Sequence, residues 1–205
     1  MSWSFDNGTI LMRSALLGEY ENNVFVVACA NTGEGVIIDA ACEPGRILEL
    51  VDDVSVKAIL STHGHFDHLR GVDVIAPALD VPMLLHPADS ALAAKTTEVI
   101  PLAMEDGQVV EFGETSLLTV HTPGHTPGSV CLFTPGVLFS GDTLFPGGPG
   151  ATNFEGGDFP TIIESITGRL LTMDDATDVY PGHGPTMTSI GKERPDLPEW
   201  IDRGW

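Results

Sequence analysis

The sequence predicts a layered α/β fold, in which helices pack against β-sheets. Short apolar runs of strand length interleave with segments whose apolar residues recur at helical spacing. The chain also has 23 glycines and 15 prolines, a content typical of many short strands joined by tight turns. Its 205 residues are 42% hydrophobic and suffice for one sizeable core, so we expect a single domain over residues 1–205.

The first half of the chain is expected to begin with one or two edge strands in residues 2–20. Further strands are predicted at 24–30, 36–39, 56–60 and 83–85. Helices are predicted after Pro44, over 69–76 with an end before Pro77, and over 88–95. Strands and helices therefore alternate from the start.

The second half of the chain continues this alternation. Strands are predicted at 109–112, 116–120, 129–133, 137–139 and 178–180. A Gly-rich loop is expected over 144–160, an amphipathic helix over 161–171, and a C-terminal tail that caps the domain. Three aromatic residues near this loop are expected to pack in the interior, with pocket lining as the alternative: Phe145, Phe154 and Phe159.

One stretch concentrates metal-binding chemistry. The segment from His63 to His68 holds four side chains that can bind a metal: His63, His65, Asp67 and His68. Imidazoles and a carboxylate crowded together leave polar atoms unpaired when they are buried without a partner. A divalent cation removes that cost, because neutral His and ionised Asp are its natural ligands. The segment therefore predicts a metal cluster, the alternative being a solvated polar turn.

Three more candidate ligands follow the same local pattern as His63. His125, Asp142 and His183 each come after a short apolar run and lie among Gly, Pro and Thr. Strand ends at one edge of a sheet are close in space, so we expect these side chains to meet the cluster. His86 is expected at the surface or outside the ligand set, and His121 at most orients a ligand.

The net charge of the chain restricts the kinds of partner that it can bind. The formal charge is -20 with only nine Lys plus Arg, so nucleic-acid and membrane partners are not expected, and a small-molecule substrate is. The N-terminus lacks the basic start and apolar run of a secretory signal, and we expect a cytoplasmic protein. Three cysteines without CxxC spacing are expected to be free thiols, the alternatives being a disulfide or a sulfur ligand: Cys29, Cys42 and Cys131.

In their order and spacing, the seven candidate ligands match the pattern of the metallo-β-lactamase fold superfamily, which the chain resembles over roughly residues 20–190. The segments 122–128, 141–145 and 181–185 are most similar to the glyoxalase II-like hydrolases. The resemblance implies a four-layer αββα sandwich with the site at one edge of its two sheets. It also implies two divalent ions, zinc first with iron or manganese as alternatives. The implied first ion is held by His63, His65 and His125, and the second by Asp67, His68 and His183, with Asp142 bridging.

This resemblance implies metal-dependent hydrolysis of thioesters of the hydroxyacyl-thiol type. A water that bridges two cations is deprotonated near neutral pH, and the resulting hydroxide is expected to attack an acyl carbonyl. Asp67 is the candidate catalytic residue, because a carboxylate there can orient the nucleophile and accept its proton. Thr126 and Thr143 are expected either to hydrogen-bond the ligands or to serve ordinary turn roles.

Two departures from glyoxalase II bear on the substrate. That family usually carries a C-terminal helical domain that grips glutathione, whereas this chain ends at Trp205, 22 residues after His183. A basic residue usually follows the bridging Asp, but residues 147–154 contain no Lys or Arg. We therefore expect metal-dependent hydrolysis without assured glutathione specificity, and the Gly-rich loop either as a turn or as a lid.

Other functions remain open at this point. Persulfide dioxygenases resemble the same fold but hold one iron, at positions matching His63, His125 and Asp142. A lactonase needs the same metals and a different pocket. The charge argues against an RNA-processing nuclease, and the common zinc β-lactamases have Cys where Asp142 stands. A non-enzymatic binding module on this fold is expected to have lost ligands, and all seven are present here.

Overall fold

Two β-sheets lie face to face at the centre of the computed structural model, which describes residues 2–204. The first sheet contains strands β1 to β7 in chain order; pairs from β1 to β4 are antiparallel and pairs from β4 to β7 are parallel. The strands are β1 Phe5–Asp6, β2 Ile10–Leu17, β3 Asn22–Cys29, β4 Glu34–Ile38, β5 Ser55–Leu60, β6 Met83–Leu85 and β7 Leu102–Ala103.

The second sheet has the order β15-β14-β11-β10-β9-β8, and its only parallel pair among the described residues is β11 with β14. Its strands are β8 Val109–Phe112, β9 Thr115–His121, β10 Val130–Thr134, β11 Val137–Gly141, β14 Asp178–Pro181 and β15 Thr188–Ser189. A separate hairpin pairs β12, Leu144–Phe145, with β13, Gly148–Pro149.

Helices cover the outer face of each sheet. They are α1 Pro44–Leu50, α2 Phe66–Leu69, α3 Val72–Leu79, α4 Ser90–Ala93, α5 Phe159–Ser165, α6 Ile190–Glu193 and α7 Leu197–Arg203. Two 3₁₀ turns, Pro87–Asp89 and Arg194–Asp196, precede α4 and α7, and a π-helical turn, Ile166–Leu170, continues α5. None of the helices within residues 2–204 has the length and apolar content that crossing a membrane requires.

The alternation of side chains along β3 shows how the layers are held together. Phe25 and Val27 point into the core between the two sheets, whereas Val24 and Val26 point outward into a core shared with α1 and α3. A third core packs the outer face of the second sheet against α5, α6 and α7, including the fully buried Trp200. The expected αββα sandwich is therefore confirmed, and the C-terminal tail does cap the fold.

The helix predicted over 69–76 is a correction. It begins at Val72 and runs to Leu79, so the prediction that it ends before Pro77 is wrong. Proline removes one backbone hydrogen bond from a helix. Here Pro77 is exposed, while Val72 and Ile75 are buried against the first sheet. The free energy gained by burying that apolar face outweighs the cost of the missing backbone hydrogen bond.

Other differences also involve short elements. The helix predicted over 88–95 is shorter than expected, since a 3₁₀ turn covers Pro87–Asp89 and α4 covers only Ser90–Ala93. β7 and β15 have two residues each, too few to show an alternating pattern. The Gly-rich segment 144–160 is also more ordered than predicted, because β12 and β13 form a hairpin within it and α5 begins at Phe159.

Candidate metal centre

The four strands named as ligand carriers end at one edge of the two sheets. His63 follows β5, His125 follows β9, Asp142 follows β11 and His183 follows β14. Backbone bonds join the loops: Gly182 N donates to Gly141 O at 2.8 Å, and Val130 N donates to Thr62 O at 2.8 Å. The expected meeting of strand ends is present.

The first group consists of His63, His65 and His125, whose candidate ligand nitrogens all lie within 4.8 Å of one another. His65 Nδ1 and His125 Nε2 are 2.9 Å apart. The three rings stand nearly perpendicular to each other, with centroids 4.7 to 4.8 Å apart. Three imidazoles arranged in this way offer three nitrogens to one common point.

The second group consists of Asp67, His68 and His183, within the same 4.8 Å limit. His68 Nε2 and His183 Nε2 are 3.0 Å apart, and Asp67 Oδ2 lies 3.4 Å from His183 Nε2. Asp67 and His68 both come from the short helix α2. That helix therefore presents two donors to the same point.

Asp142 lies between the groups. One carboxylate oxygen, Oδ2, is 3.5 Å from His125 Nε2 in the first group and 3.2 Å from His183 Nε2 in the second. The other, Oδ1, is 3.5 Å from His68 Nε2. The carboxylate reaches both groups, as a bridging ligand must.

Buried polar atoms without hydrogen-bond partners indicate whether this set of donors fits a cation. His63 Nε2 and Asp142 Oδ1 are buried and have no hydrogen-bond partner among the described residues. Such orphans are costly in a folded protein unless an ion or water satisfies them. Nitrogen and carboxylate donors in this arrangement suit Zn, Fe or Mn. The residues therefore fit a pair of divalent cations.

The ring nitrogens that face away from the two groups are fixed by hydrogen bonds. His125 Nδ1 donates to Ala151 O at 2.6 Å, and His183 Nδ1 donates to Tyr20 O at 2.7 Å. His68 Nδ1 donates to Asp39 Oδ2 at 2.9 Å. Outer hydrogen bonds of this kind orient metal-binding imidazoles and fix their tautomers.

The tautomer of His63 follows from a short relay. Asp39 accepts from both Thr62 N and Thr62 Oγ1, each at 2.8 Å. Because the Thr62 hydroxyl proton is used by Asp39, its oxygen accepts from His63 Nδ1 at 3.1 Å. The proton on Nδ1 leaves a lone pair on His63 Nε2, the buried atom that has no hydrogen-bond partner among the described residues.

The protonation states of three groups suit metal binding. Burial and the neighbouring His68 hold the pKa of His63 well below its ordinary value, and burial with His125 lowers the pKa of His65 to about 4. Burial would raise the pKa of Asp142, but His68 and His183 outweigh burial and hold it well below its ordinary value. His63 and His65 are therefore neutral and Asp142 is ionised near neutral pH.

His68 behaves differently. Burial would lower its pKa, but the carboxylates of Asp142 and Asp39 outweigh burial and raise the pKa to about 9. This imidazole lies between two negative groups. A positive charge is thus favoured at its position.

A cavity of about 330 Å³ opens onto both groups. Three aromatic side chains form its rim: Tyr20, Phe66 and Phe154 are 47%, 48% and 55% exposed. Phe154 packs edge-on against His65, with centroids 5.6 Å apart. The expectation that Phe154 is buried is wrong, and pocket lining is its observed role.

The structure also decides the roles of the remaining polar residues singled out in the sequence. Neither Thr126 nor Thr143 hydrogen-bonds a candidate ligand: Thr126 Oγ1 donates to Asp89, and Thr143 Oγ1 pairs with Thr122 Oγ1. His121 Nε2 donates to Pro127 O at 2.9 Å, so it supports the backbone of the His125 loop. Its ring stacks on His86 at 4.1 Å, away from both groups. Cys29, Cys42 and Cys131 are free, as expected.

Sequence reasoning missed the residues behind the donors. Asp39 is the clearest case, since it follows β4 just as each candidate ligand follows its own strand, and that pattern was available as a signal. Asn22, whose Nδ2 donates to Asp67 Oδ2 at 3.0 Å, had no comparable signal.

Comparison with known families gives one match that spans most of the chain. A model of the metallo-beta-lactamase superfamily matches residues 17–183. An uncharacterized protein of Aquifex aeolicus is 35% identical over 193 residues, covering 87% of this chain and 91% of the relative. The probable metallo-hydrolase YqgX of Bacillus subtilis is 34% identical, covering 73% and 80%. The hydroxyacylglutathione hydrolase GloC of Haemophilus influenzae is 30% identical, covering 79% and 85%.

Solved structures of related proteins have a similar fold over most of the chain. The BLEG-1 B3 metallo-beta-lactamase superposes with a TM-score of 0.82 at 30% identity, covering 92% of this chain and 98% of that one. ETHE1 from Myxococcus xanthus has a TM-score of 0.81 at 27% identity, with 91% and 83% covered. TTHA1623, solved in a di-iron-bound form, has a TM-score of 0.77 at 34% identity, with 89% and 96% covered.

Proposed function

The chain belongs to the metallo-beta-lactamase superfamily, and from that premise we propose that it is a dinuclear metal-dependent hydrolase of thioesters. The first ion is assigned to His63, His65 and His125. The second would be held by Asp67, His68 and His183, and Asp142 would serve as a ligand to both. Zinc is the first choice of metal, with iron or manganese also compatible with His and Asp donors.

One observation carries the proposal. Seven candidate donors from four loops form three overlapping groups whose ligand atoms lie within 4.8 Å of one another, and two of their buried atoms, His63 Nε2 and Asp142 Oδ1, have no hydrogen-bond partner among the described residues. A purely structural cluster would be expected to satisfy those atoms internally. In addition, the Nδ1 atoms of four candidate ligands are engaged by hydrogen bonds to other groups, which leaves their Nε2 atoms free to bind a cation: His63, His68, His125 and His183.

When bound, a pair of divalent cations lowers the pKa of a water and polarises a carbonyl oxygen. Asp67 is proposed to orient that water and to take its proton. The side chain lines the cavity, and Asn22 Nδ2 holds its Oδ2 in place at 3.0 Å. The water oxygen bonds to the acyl carbon as the C–S bond breaks, and the proton passes to the leaving sulfur.

The thioester assignment draws on GloC, a hydroxyacylglutathione hydrolase with 30% identity to this chain. The cavity differs from a glutathione grip of the usual kind: among the described residues its lining has three aromatic side chains and no Lys or Arg. A nearby cation, Arg70, does not line the cavity but lies over the Tyr20 and Phe66 rings of its rim. We therefore place the acyl group and sulfur at the metal centre, and assign no thiol carrier.

The test combines metal counting with a substrate panel. Purified full-length chain is analysed by mass spectrometry for metals, and the same preparation is assayed on thioesters, lactones, a β-lactam and glutathione persulfide. We expect two ions per chain and the highest kcat/KM on thioesters. A chain without bound metal after careful handling contradicts the proposal. A higher kcat/KM on lactones or on the β-lactam would contradict the thioester assignment and identify that compound class as the substrate instead.

Asp67→Asn tests the proton role. We expect kcat to fall by about 100-fold or more, as for loss of a general base. Metal content is measured on the same sample, because Asp67 is also a proposed ligand. Asp80→Asn is the matched control: Asp80 is exposed and left-handed (φ 53°), a conformation that Asn tolerates. Full activity of Asp67→Asn, with both ions retained, would refute the role of Asp67 as the proton acceptor.

A second candidate is the one-iron dioxygenase chemistry of the persulfide type. The observation in its favour is that two histidines and one carboxylate, His63, His125 and Asp142, lie in contact range, with His125 Nε2 at 3.5 Å from Asp142 Oδ2. The similarity to ETHE1 from Myxococcus xanthus adds to it. One iron per chain, with oxygen consumed on glutathione persulfide, would establish this alternative.

A further inference from the structure

A buried carboxylate outside the seven donors, Asp89, occupies an unusual position. It lies in the residue before α4, where an Asp side chain ordinarily accepts hydrogen bonds from the first N–H groups of its own helix. The Asp89 side chain makes no such cap and is fully buried. Its oxygens point instead to two other loops.

Those two loops carry the first group of donors. Asp89 Oδ2 accepts from Gly64 N at 2.8 Å, and Gly64 lies between His63 and His65. Oδ2 also accepts from Thr126 Oγ1 at 2.6 Å, next to His125. Oδ1 accepts from Gly128 N in the same loop at 2.7 Å.

The two glycines show how closely the loops fit around this residue. A Cβ on Gly64 would lie 2.9 Å from Asp89 O and 3.0 Å from Asp89 Cβ. A Cβ on Gly128 would lie 2.6 Å from Asp89 Cγ. Real side chains do not approach so closely, so both loops need glycine to reach the carboxylate.

We propose that Asp89 is a positioning residue that sets the spacing between the His63–His65 loop and the His125 loop, and through it the affinity of the first ion. The inference rests on the proposed ligands. A single carboxylate joins both loops by three hydrogen bonds, so tilting or losing it lets His65 and His125 move apart. It touches none of the seven donor side chains by hydrogen bond among the described residues.

A carboxylate is required because three donors need two acceptor oxygens. Asn has the same shape but only one acceptor oxygen. In Asp89→Asn the amide NH₂ must therefore face either Gly128 N or Gly64 N, donor against donor. The loops then lose their common support while the packing volume is retained.

The experiment titrates the metal-free full-length chain with Zn²⁺ in competition with a chromogenic chelator. We expect Asp89→Asn to bind one of the two ions about 10- to 100-fold more weakly, the usual cost of losing an outer-shell partner. The other ion should bind as in wild type. The d–d absorption of the Co²⁺-loaded variant should change as well.

Glu193→Gln is the matched control. Glu193 is also buried, and it accepts from Gly147 N at 2.8 Å and from the Thr188 hydroxyl. It thus joins the β12–β13 turn to strand β15, neither of which carries a proposed ligand. We expect this variant to lower the melting temperature and to leave both Zn²⁺ affinities unchanged. Equal losses of affinity in the two variants would mean general destabilisation and would overturn the proposal.

A second variant covers the case in which Asp89→Asn does not fold. Thr126→Val removes one of the three bonds and should weaken the same ion, whereas Thr126→Ser keeps the hydroxyl and should restore it. Wild-type affinity for both ions in the folded variants overturns the positioning role alone. A wild-type chain that binds no Zn²⁺ overturns the proposed metal centre together with it.

Discussion

At the scale of residues, the candidate metal centre depends on glycines as much as on its candidate donors. A Cβ on Gly182 would collide with Asp142 Oδ1 and lie 2.9 Å from His68 Cε1. A Cβ on Gly141 (φ 49°) would lie 2.6 Å from Thr62 Cβ. These loops can bring Asp142, His68 and His183 together because nothing larger than hydrogen stands between them.

We expect Gly182→Ala to lose one bound ion per chain, because the new methyl group displaces Asp142 or His68 from its position. Overpacking of this kind also costs about 1–3 kcal/mol of folding free energy. Metal counting and thermal unfolding of the same preparation measure both effects. Gly45→Ala is the control, since its Cβ would meet nothing within 4 Å. A Gly182→Ala chain that keeps both ions contradicts this account.

At the scale of elements, a buried arginine ties the first sheet to the connection after α1. Arg13 on β2 is only 2% exposed, and its guanidinium makes an ion pair with Asp53 between α1 and β5. The same guanidinium lies 4.1 Å from the Trp3 ring centroid. The hydrogen bond from Arg13 holds the pKa of Asp53 below its ordinary value, against a smaller opposing effect of burial.

This pair predicts a pH-dependent contribution to stability. Because the pKa of Asp53 is lower in the folded than in the unfolded chain, the pair stabilises the fold above about pH 4, the unfolded value. The contribution is lost as the pH falls through the folded pKa. We therefore expect Asp53→Asn to lower the melting temperature at pH 7, with the difference from wild type shrinking toward pH 3.

Asp52→Asn is the control for that series, since Asp52 is the exposed neighbour of Asp53. It should unfold like wild type at every pH. A deficit of Asp53→Asn that is as large at pH 3 as at pH 7 would show that the ion pair is not its cause.

At the scale of the whole molecule, the charge is strongly one-sided. The chain has 29 Asp plus Glu against nine Lys plus Arg, for a formal charge of -20. Seven or more of those nine cations already make ion pairs with acidic side chains. Most of the acidic excess therefore has no cation beside it and repels itself.

Salt should relieve this repulsion. Exposed charges are screened over about 30 Å at 0.01 M salt but only about 8 Å at 0.15 M. We expect the melting temperature to rise between these concentrations, to the same extent with NaCl and KCl, in the metal-loaded chain. A melting temperature that is flat or falls with salt would indicate that local ion pairs dominate over the net charge.

The sequence anticipated the strands to within a few residues where they are long enough to show a pattern. β3, β5, β6 and β8 are close to their predicted bounds, because strands with three or more apolar residues are visible locally in the sequence. Elements whose existence depends on a distant partner were missed, such as β15 and the β12–β13 hairpin. The end of α3 was missed for the same reason, since burial against the sheet overrode Pro77.

The sequence by itself determined the layered fold and pointed to the seven candidate donors, because both depend on short local patterns: alternating apolar runs, and His or Asp among turn residues after a strand. Only the tertiary structure decided which side chains stand behind those donors. Asp89 bonds to residues 25 to 39 positions away, and Asn22 to one 45 positions away. A buried carboxylate accepts from, and a buried amide donates to, whichever groups the packing brings to it. Apart from the position of Asp39 directly after β4, no local pattern identifies these residues in advance.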